Sequence, residues 1–212
     1  DVVEVSLEPE VEEYPVTMML SRDGYLKKMT DRVLRKATTL KYKDGDEPFI
    51  EFDSSNTHDL LVFTNHCQVY KCKVASFEDT KSAQLGSYLP TDLEMDDGEV
   101  VTWVIDPEDY KADALFVFEN GRVARVALSG YATKTNRKRL TGAYSDKSTV
   151  RAIIDLPEEK QIVVRASDGR ALIFSTAQLA VKTTRSAQGV AVMSLKRKAV
   201  VESAAELEKT LI

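Results

Sequence analysis

The chain has 212 residues, 43% hydrophobic and 30% charged, with a formal net charge of −5. This composition fits a folded globular chain and excludes general disorder. No apolar run approaches the ~20 residues that span a bilayer, and no signal-peptide pattern opens the chain. It begins at Asp1 rather than Met, which predicts a piece of a longer protein.

Residues 1–13 hold six acids and no base, and read as an acidic linker or, where DVVEVSL alternates, an edge strand. A domain is expected over residues 14–203. The first hairpin is Val16–Met29, VTMMLSRDGYLKKM, turning at Asp23-Gly24. The segment from Thr30 to Lys43 is too rich in Thr and β-branched residues for a helix, and reads as a basic loop running into a short strand. Asp44-Gly45-Asp46 is a turn and Pro48–Asp53 an alternating strand. Asp59–Val74 is the second hairpin, with its turn near His66-Cys67. A left-handed Cys67 costs about 1–2 kcal/mol, which predicts a longer or differently shaped turn there. Ser76–Tyr88 is a polar connector. Asp96-Asp97-Gly98 then turns into the strand VVTWVI.

The third hairpin, Ala114–Leu128 (ALFVFENGRVARVAL), is the clearest. Asn120-Gly121 between apolar runs signals a two-residue turn with positive φ at both positions. It sets Glu119 opposite Arg122 as an expected ion pair. Gly130–Thr141 is a strongly basic loop and Thr149–Ile154 a strand. The fourth hairpin, Gln161–Thr176, turns at Asp168-Gly169. A loop with Lys182 and Arg185 follows, then a strand at Val190–Leu195 and the cluster Lys196-Arg197-Lys198. Residues 204–212 read as a tail or short helix, because Leu207 and Leu211 have helical spacing.

The second turn residues are 24, 67, 121 and 169, so the spacings are 43, 54 and 48. A hairpin recurring every roughly 40–50 residues marks a bladed or solenoid β architecture. The expected fold is all-β and propeller-like, with about four blades in a closed or open disc. The apolar runs LFVF and VVTWVI predict strands covered on both faces.

Charge is segregated along the chain. Arg22–Lys43 holds eight bases and two acids; Arg122–Arg151 holds eight bases and one acid. Basic loops recur at one place in the first, third and fourth repeats. Stacked by rotation, they would form a basic rim for duplex DNA. The candidate DNA contacts are Lys27, Lys28, Arg32, Arg35, Lys36, Lys41, Lys134, Arg137, Lys138, Arg139, Lys182, Arg185, Lys196, Arg197 and Lys198. The loops carry few aromatics, which disfavours base stacking on single strands. The other reading is a protein-interaction propeller working through its acidic stretches.

Catalytic constellations are not found. No glycine precedes a lysine, so there is no P-loop, and no GxSxG occurs. His66 and Cys72 fall about 20 Å apart on one strand face at ~3.3 Å per residue, too far for a shared metal. Cys67 and Cys72 point to opposite faces of one strand and cannot easily bridge or share a metal. Glu94–Asp97 lacks EF-hand spacing and reads as a solvated loop. No cofactor and no membrane partner is expected, and a reducing cytosol is the default.

Leu20–Lys28 (LSRDGYLKK) and Asp59–Lys71 (DLLVFTNHCQVYK) look like hairpins of one kind, and Asp113–Val123 and Lys160–Leu172 match the pattern of a polar start, a hydrophobic run, a polar turn and a second strand. In this the chain resembles the C-terminal domain of bacterial type IIA topoisomerase A subunits, over about residues 14–200. The resemblance implies a β-pinwheel whose blades exchange a strand and whose basic rim binds and bends duplex DNA. It implies two further partners, the remainder of such an A subunit, plus an ATPase B subunit, in the bacterial cytoplasm at the nucleoid. The family's catalytic tyrosine follows an arginine; none of the eight tyrosines here does, so the cleavage centre lies elsewhere. Gyrase carries a QRRGGKG-like box after its first hairpin. This chain reads TDRVLRKATTLKYKDGDEP there, which resembles topoisomerase IV instead. Four hairpins are fewer than the six blades usual in gyrase and fewer than the five or so of several topoisomerase IV subunits.

Overall fold

A computed structural model of the chain describes residues 9–134 and 139–207. The first repeat holds β1 (Pro15–Ser21), β2 (Tyr25–Thr30), helix α1 (Asp31–Lys36) and β3 (Pro48–Ser55). The second holds β4 (Asp59–Thr64), β5 (Val69–Lys73), β6 (Ser87–Tyr88), the one-turn helix α2 (Leu89–Asp92) and β7 (Val101–Ile105). The third holds β8 (Asp113–Phe118), β9 (Arg122–Ala127), β10 (Arg139–Leu140) and β11 (Val150–Leu156). The fourth holds β12 (Gln161–Ala166), β13 (Ala171–Ser175), β14 (Val181–Lys182), β15 (Val190–Ala191) and β16 (Val201–Glu206).

These strands make four small sheets, the blades of an all-β propeller-like fold, as the repeat predicts. Each is a hairpin whose first strand also pairs with the last strand of its own repeat: β1 with β3, β4 with β7, β8 with β11, β12 with β16. The second hairpin strand takes its outer partner from the next repeat: β6 lies on β2, β10 on β5, and β14 and β15 on β9. Among the described residues β13 pairs with β12 alone. The chain divides into two compact units. One comprises the residues up to His58 with Lys73–Leu89, and holds the β1 sheet. The other comprises Asp59–Cys72 with the residues from Pro90 onward, and holds the remaining three.

In the first unit Met18, Leu20, Leu26, Met29 and Ile50 are buried on the sheet. In the second unit Phe63, Phe116, Tyr131 and Tyr144 pack together, with the Phe63 ring edge-on to Phe116 at 5.6 Å and to Tyr131 at 5.4 Å. The Tyr131 hydroxyl donates to the Ala143 carbonyl at 2.7 Å, so its polar tip is satisfied inside the core. A second cluster joins Leu115, Val117, Ile162, Val164, Phe174 and Val201. Every residue from Ala114 to Phe118 is buried, so β8 is covered on both faces as expected. The run VVTWVI is not: Val104 and Ile105 are buried, whereas Val100 is exposed.

The hairpin turns differ from the two-residue form. Gly24, Gly121 and Gly169 have positive φ but Asp23, Asn120 and Asp168 do not. Gly121 N–H donates to the Phe118 carbonyl at 3.0 Å. Three-residue loops therefore close these hairpins, with a type I turn ending in a left-handed glycine. Cys67 occupies the same place with φ 53° and accepts that cost; its carbonyl is anchored by Ala143 N–H at 2.9 Å. The expected Glu119–Arg122 pair does not form. Glu119 pairs with Arg151 on β11 at 2.7 Å, and Arg122 donates to the carbonyls of Gln188 and Gly189.

Two further expectations are corrected. Asp31–Lys36 is a short helix, with Asp31 in its first turn and Arg35 and Lys36 in its last, which complements the helix dipole. Strand β16 runs to Glu206, where a tail or helix was expected, because Val163, Val164 and Arg165 offer it a ladder. The remainder of that expected helix, and the edge strand expected in DVVEVSL, lie outside the described residues.

Asp155, on β11, is half-buried, and burial pushes its carboxyl up to about 6, with Glu108 and Asp106 adding repulsion. The ordinary value is 3.8, so the folded state binds the proton more tightly than the unfolded chain. Folding is then favoured by protonation: stability gained from this group falls as pH rises from about 4 to about 6, and is absent above. Asp155→Asn is expected to raise the melting temperature at pH 7.5, and thermal scans at pH 4.5 should show that gain much reduced. An equal gain at both pH values would remove this account.

Candidate nucleic-acid interface

Strand geometry decides which cations can reach a ligand. Lys27 and Lys28 are only 2% and 3% exposed. Lys27 Nζ donates to the carbonyls of Gln84 and Leu85, both at 2.7 Å, and burial lowers its pKa. Lys28 Nζ donates to the Phe77 carbonyl at 3.0 Å and lies 3.5 Å from Asp79. Both hold the segment that leads into β6, and neither is presented to solvent.

Helix α1 buries none of its residues, and Arg32, Arg35 and Lys36 are exposed on it. Lys41 is exposed on the loop beyond, where its N–H donates to the Ser82 carbonyl at 3.1 Å. In the second unit Lys134, Lys182, Lys196, Arg197 and Lys198 are exposed. Among the described residues none of these nine cations is in a salt bridge. Arg137 and Lys138 lie outside the described residues.

Arg139 and Arg185 are engaged within the chain. Arg139 pairs with Asp96 at 3.1 Å, donates to the Glu94 carbonyl at 2.7 Å and sits 5.2 Å over the Tyr70 ring. Arg185 Nη1 donates to the Gly130 carbonyl at 2.8 Å, leaving the rest of its donor fork available.

The acidic stretch before β7 is a hydrogen-bonded hub. Glu99 is 6% exposed and accepts from Thr64 Oγ1, from Gln68 Nε2 at 3.1 Å, from Tyr70 OH at 2.7 Å and from Asp96 N–H at 2.8 Å. His66, Asp96 and Glu99 bring ligand atoms within 4.8 Å of one another. The Glu99 carboxylate is already served by four protein donors, and the Arg139 cation lies on Asp96. The arrangement fits a structural hub better than a cation seat. At the N-terminal side, Ser55 Oγ donates to Glu13 at 2.9 Å and Asn56 Nδ2 to the Glu12 carbonyl at 2.9 Å. That part of the acidic segment is docked rather than loose.

Two polar clefts open beside the exposed cations. One lies in the first unit at Lys36, Thr38, Thr39, Lys41 and Ser82. The other lies in the second unit at Gly130, Gly142, Thr183, Thr184, Arg185 and Ser186. Neither is the enclosed apolar pocket that a small molecule needs.

No family model matches the chain. It is 27% identical over 200 residues to the A subunit of DNA topoisomerase 4 from Staphylococcus epidermidis, covering 92% of this chain and 25% of that protein. The Staphylococcus aureus counterpart is 24% identical with the same coverage. The chain thus spans about a quarter of the length of the curated relatives it matches. Among solved structures it is similar to the C-terminal domain of DNA topoisomerase IV, with a TM-score of 0.79 and 24% identity over 93% of this chain and 62% of that one. It is also similar to the E. coli ParC C-terminal domain (TM-score 0.70, 15% identity, 92% of this chain and 80% of that one). The DNA gyrase A C-terminal domain follows at a TM-score of 0.63 and 18% identity, over 91% of this chain and 64% of that one. The chain therefore has the β-pinwheel fold of these domains.

Proposed function

We propose that the chain is the duplex-DNA-binding C-terminal domain of a type IIA DNA topoisomerase A subunit, of the topoisomerase IV kind. It bends DNA and presents segments to a cleavage core carried elsewhere in the subunit, which works with an ATP-driven B subunit in the bacterial cytoplasm. One observation carries the reading. In a chain of net charge −5, nine exposed cations, Arg139 not among them, are in no salt bridge among the described residues, whereas Asp96 and Glu99 are engaged internally. An exposed unpaired cation carries counterion-releasing potential that an ion-paired one has already spent. The same feature disfavours the protein-interaction reading, because part of the acidic surface it needs is consumed by Arg139, Gln68 and Tyr70. The topoisomerase IV assignment rests on the stretch from Thr30 to Pro48, which lacks a glycine-rich basic box.

Duplex DNA titrated at several salt concentrations tests the reading. The logarithm of affinity should fall linearly with the logarithm of salt, losing about 0.9 per phosphate neutralised, with a total slope of several units. No retardation at 50 mM salt would sink it.

A further inference from the structure

The two polar clefts occupy corresponding places. The first is formed where the return loop of repeat one, Lys36–Lys41, meets Ser82 and Ala83 of repeat two. The second is formed where Gly130 and Gly142 of repeat three meet Thr183–Ser186 of repeat four. The sequence repeats as well. Lys81-Ser82-Ala83-Gln84 is followed, after Leu85, by Gly86, and Arg185-Ser186-Ala187-Gln188 directly by Gly189. Both glycines have positive φ, and a Cβ on either would collide with a hairpin-strand carbonyl, that of Leu26 or of Val123. The backbone is thus pinned on one side of each cleft at the same point of the repeat.

Each cleft also holds adjacent threonines, Thr38-Thr39 in one and Thr183-Thr184 in the other. All four are exposed, and their side chains contribute nothing to either core. Among the described residues their hydroxyls have no protein partner. Cations flank both pairs: Lys36 and Lys41 in the first cleft, and in the second Arg185, whose Gly130 bond fixes the guanidinium while leaving donors to spare. Paired hydroxyl donors beside a cation, facing (Thr38-Thr39) or carried on (Thr183-Thr184) backbone held by a tight glycine contact, suit a tetrahedral oxyanion: hydroxyls bond its oxygens while the cation neutralises it.

From this geometry we infer that the Thr38-Thr39 and Thr183-Thr184 clefts are phosphate seats at corresponding inter-repeat junctions, the threonines coming from the earlier repeat in the first and from the later repeat in the second, each taking a phosphodiester of the DNA backbone. The inference rests on the DNA-binding reading and sharpens it. The exposed lysines supply attraction, and the two clefts fix where the backbone sits. Such contacts orient the duplex without reading its sequence.

The test removes hydroxyls and leaves charge intact. Thr38→Val/Thr39→Val and Thr183→Val/Thr184→Val keep shape at exposed positions. Each pair should weaken duplex binding several-fold at fixed salt, with the slope of log affinity against log salt unchanged, because no cation is lost. Wild-type affinity in both double variants would overturn the inference and leave DNA binding standing. A titration with inorganic phosphate, followed by amide chemical shifts of the wild-type chain, separates free phosphate from the DNA backbone. If the chain fails to bind duplex, saturable shifts confined to residues 38–41 and 183–186 uphold the seats while the DNA reading falls. Shifts absent there, or spread evenly over exposed lysines, would then overturn the seats as well.

Discussion

Arg125→Ala is expected to be the most damaging single substitution on β9. Its guanidinium lies 2.9 Å from both Asp113 and Glu159, and donates to the Thr176 carbonyl at 2.8 Å. The arginine and Asp113 side chains are only 11% and 15% exposed, whereas Glu159 is half exposed. Hydrogen bonds to Glu159 and Asp113 raise the guanidinium pKa further, so it is charged at every working pH. Alanine would strand the Asp113 carboxylate away from water and leave the Thr176 carbonyl with only its Leu179 N–H donor. Removing one partner of a buried pair costs about 3–5 kcal/mol. The lower figure applies here because Glu159 keeps its water. For a chain of this size that is a melting temperature lower by roughly 6–12 °C. Arg125→Lys should fall between, since it keeps the charge and loses the fork. A shift of less than 2 °C for alanine in calorimetry would mean that the network is not structural.

Reversing the charge of Arg32, Arg35 and Lys36 together to Glu should weaken duplex binding by roughly 100-fold at 0.1 M salt, taking about 1 kcal/mol for each lost contact. The salt slope should fall by about 0.9 for each cation that touches a phosphate. Because α1 buries nothing, the far-ultraviolet spectrum and melting temperature should change little. Affinity within twofold of wild type would mean that this helix faces away from DNA. Lys27→Met makes the contrast. It should alter stability through the Gln84 and Leu85 carbonyls it abandons, and leave the salt slope alone.

The hairpins were legible because alternation and left-handed glycines are local signals. Most return strands were not: of the strand expected at Val190–Leu195 only Val190–Ala191 forms, and Ser87–Tyr88, Arg139–Leu140 and Val181–Lys182 lie in stretches that read as connector or loop. Each is two residues long and exists because a neighbouring hairpin offers an edge. No window of sequence contains that edge. The cations divide for the same reason. Arg139 looks like its loop neighbours until Asp96 arrives from 43 residues away. Lys27 and Lys28 did carry a warning: adjacent residues on a strand point to opposite faces, so one of them had to turn inward. Both did, because β2 is covered on each side. Thr183 and Thr184 lie in a loop read for its cations, Lys182 and Arg185, and the cleft that gathers them with Gly130 needed the fold.

The exchange of strands between repeats also sets a timetable for synthesis. When β2 leaves the ribosome its outer partner is still 57 residues short of being made, counting from Thr30 to Ser87; for β9, counting from Ala127 to Val181 of β14, the wait is 54. At 5–20 residues per second each edge stands bare for about 3–11 s. A bare apolar edge invites pairing with a stranger, and charge on that edge discourages it. Four residues after each turn residue 24, 67 and 121 stands a cation, Lys28, Lys71 or Arg125. At the matching place β13 carries Ile173, 54% exposed. In the finished fold Lys28 and Arg125 reach carbonyls of the next repeat. Until that repeat is made, those contacts have no partner, and a charge at that place is the kind of residue that discourages pairing along a bare edge.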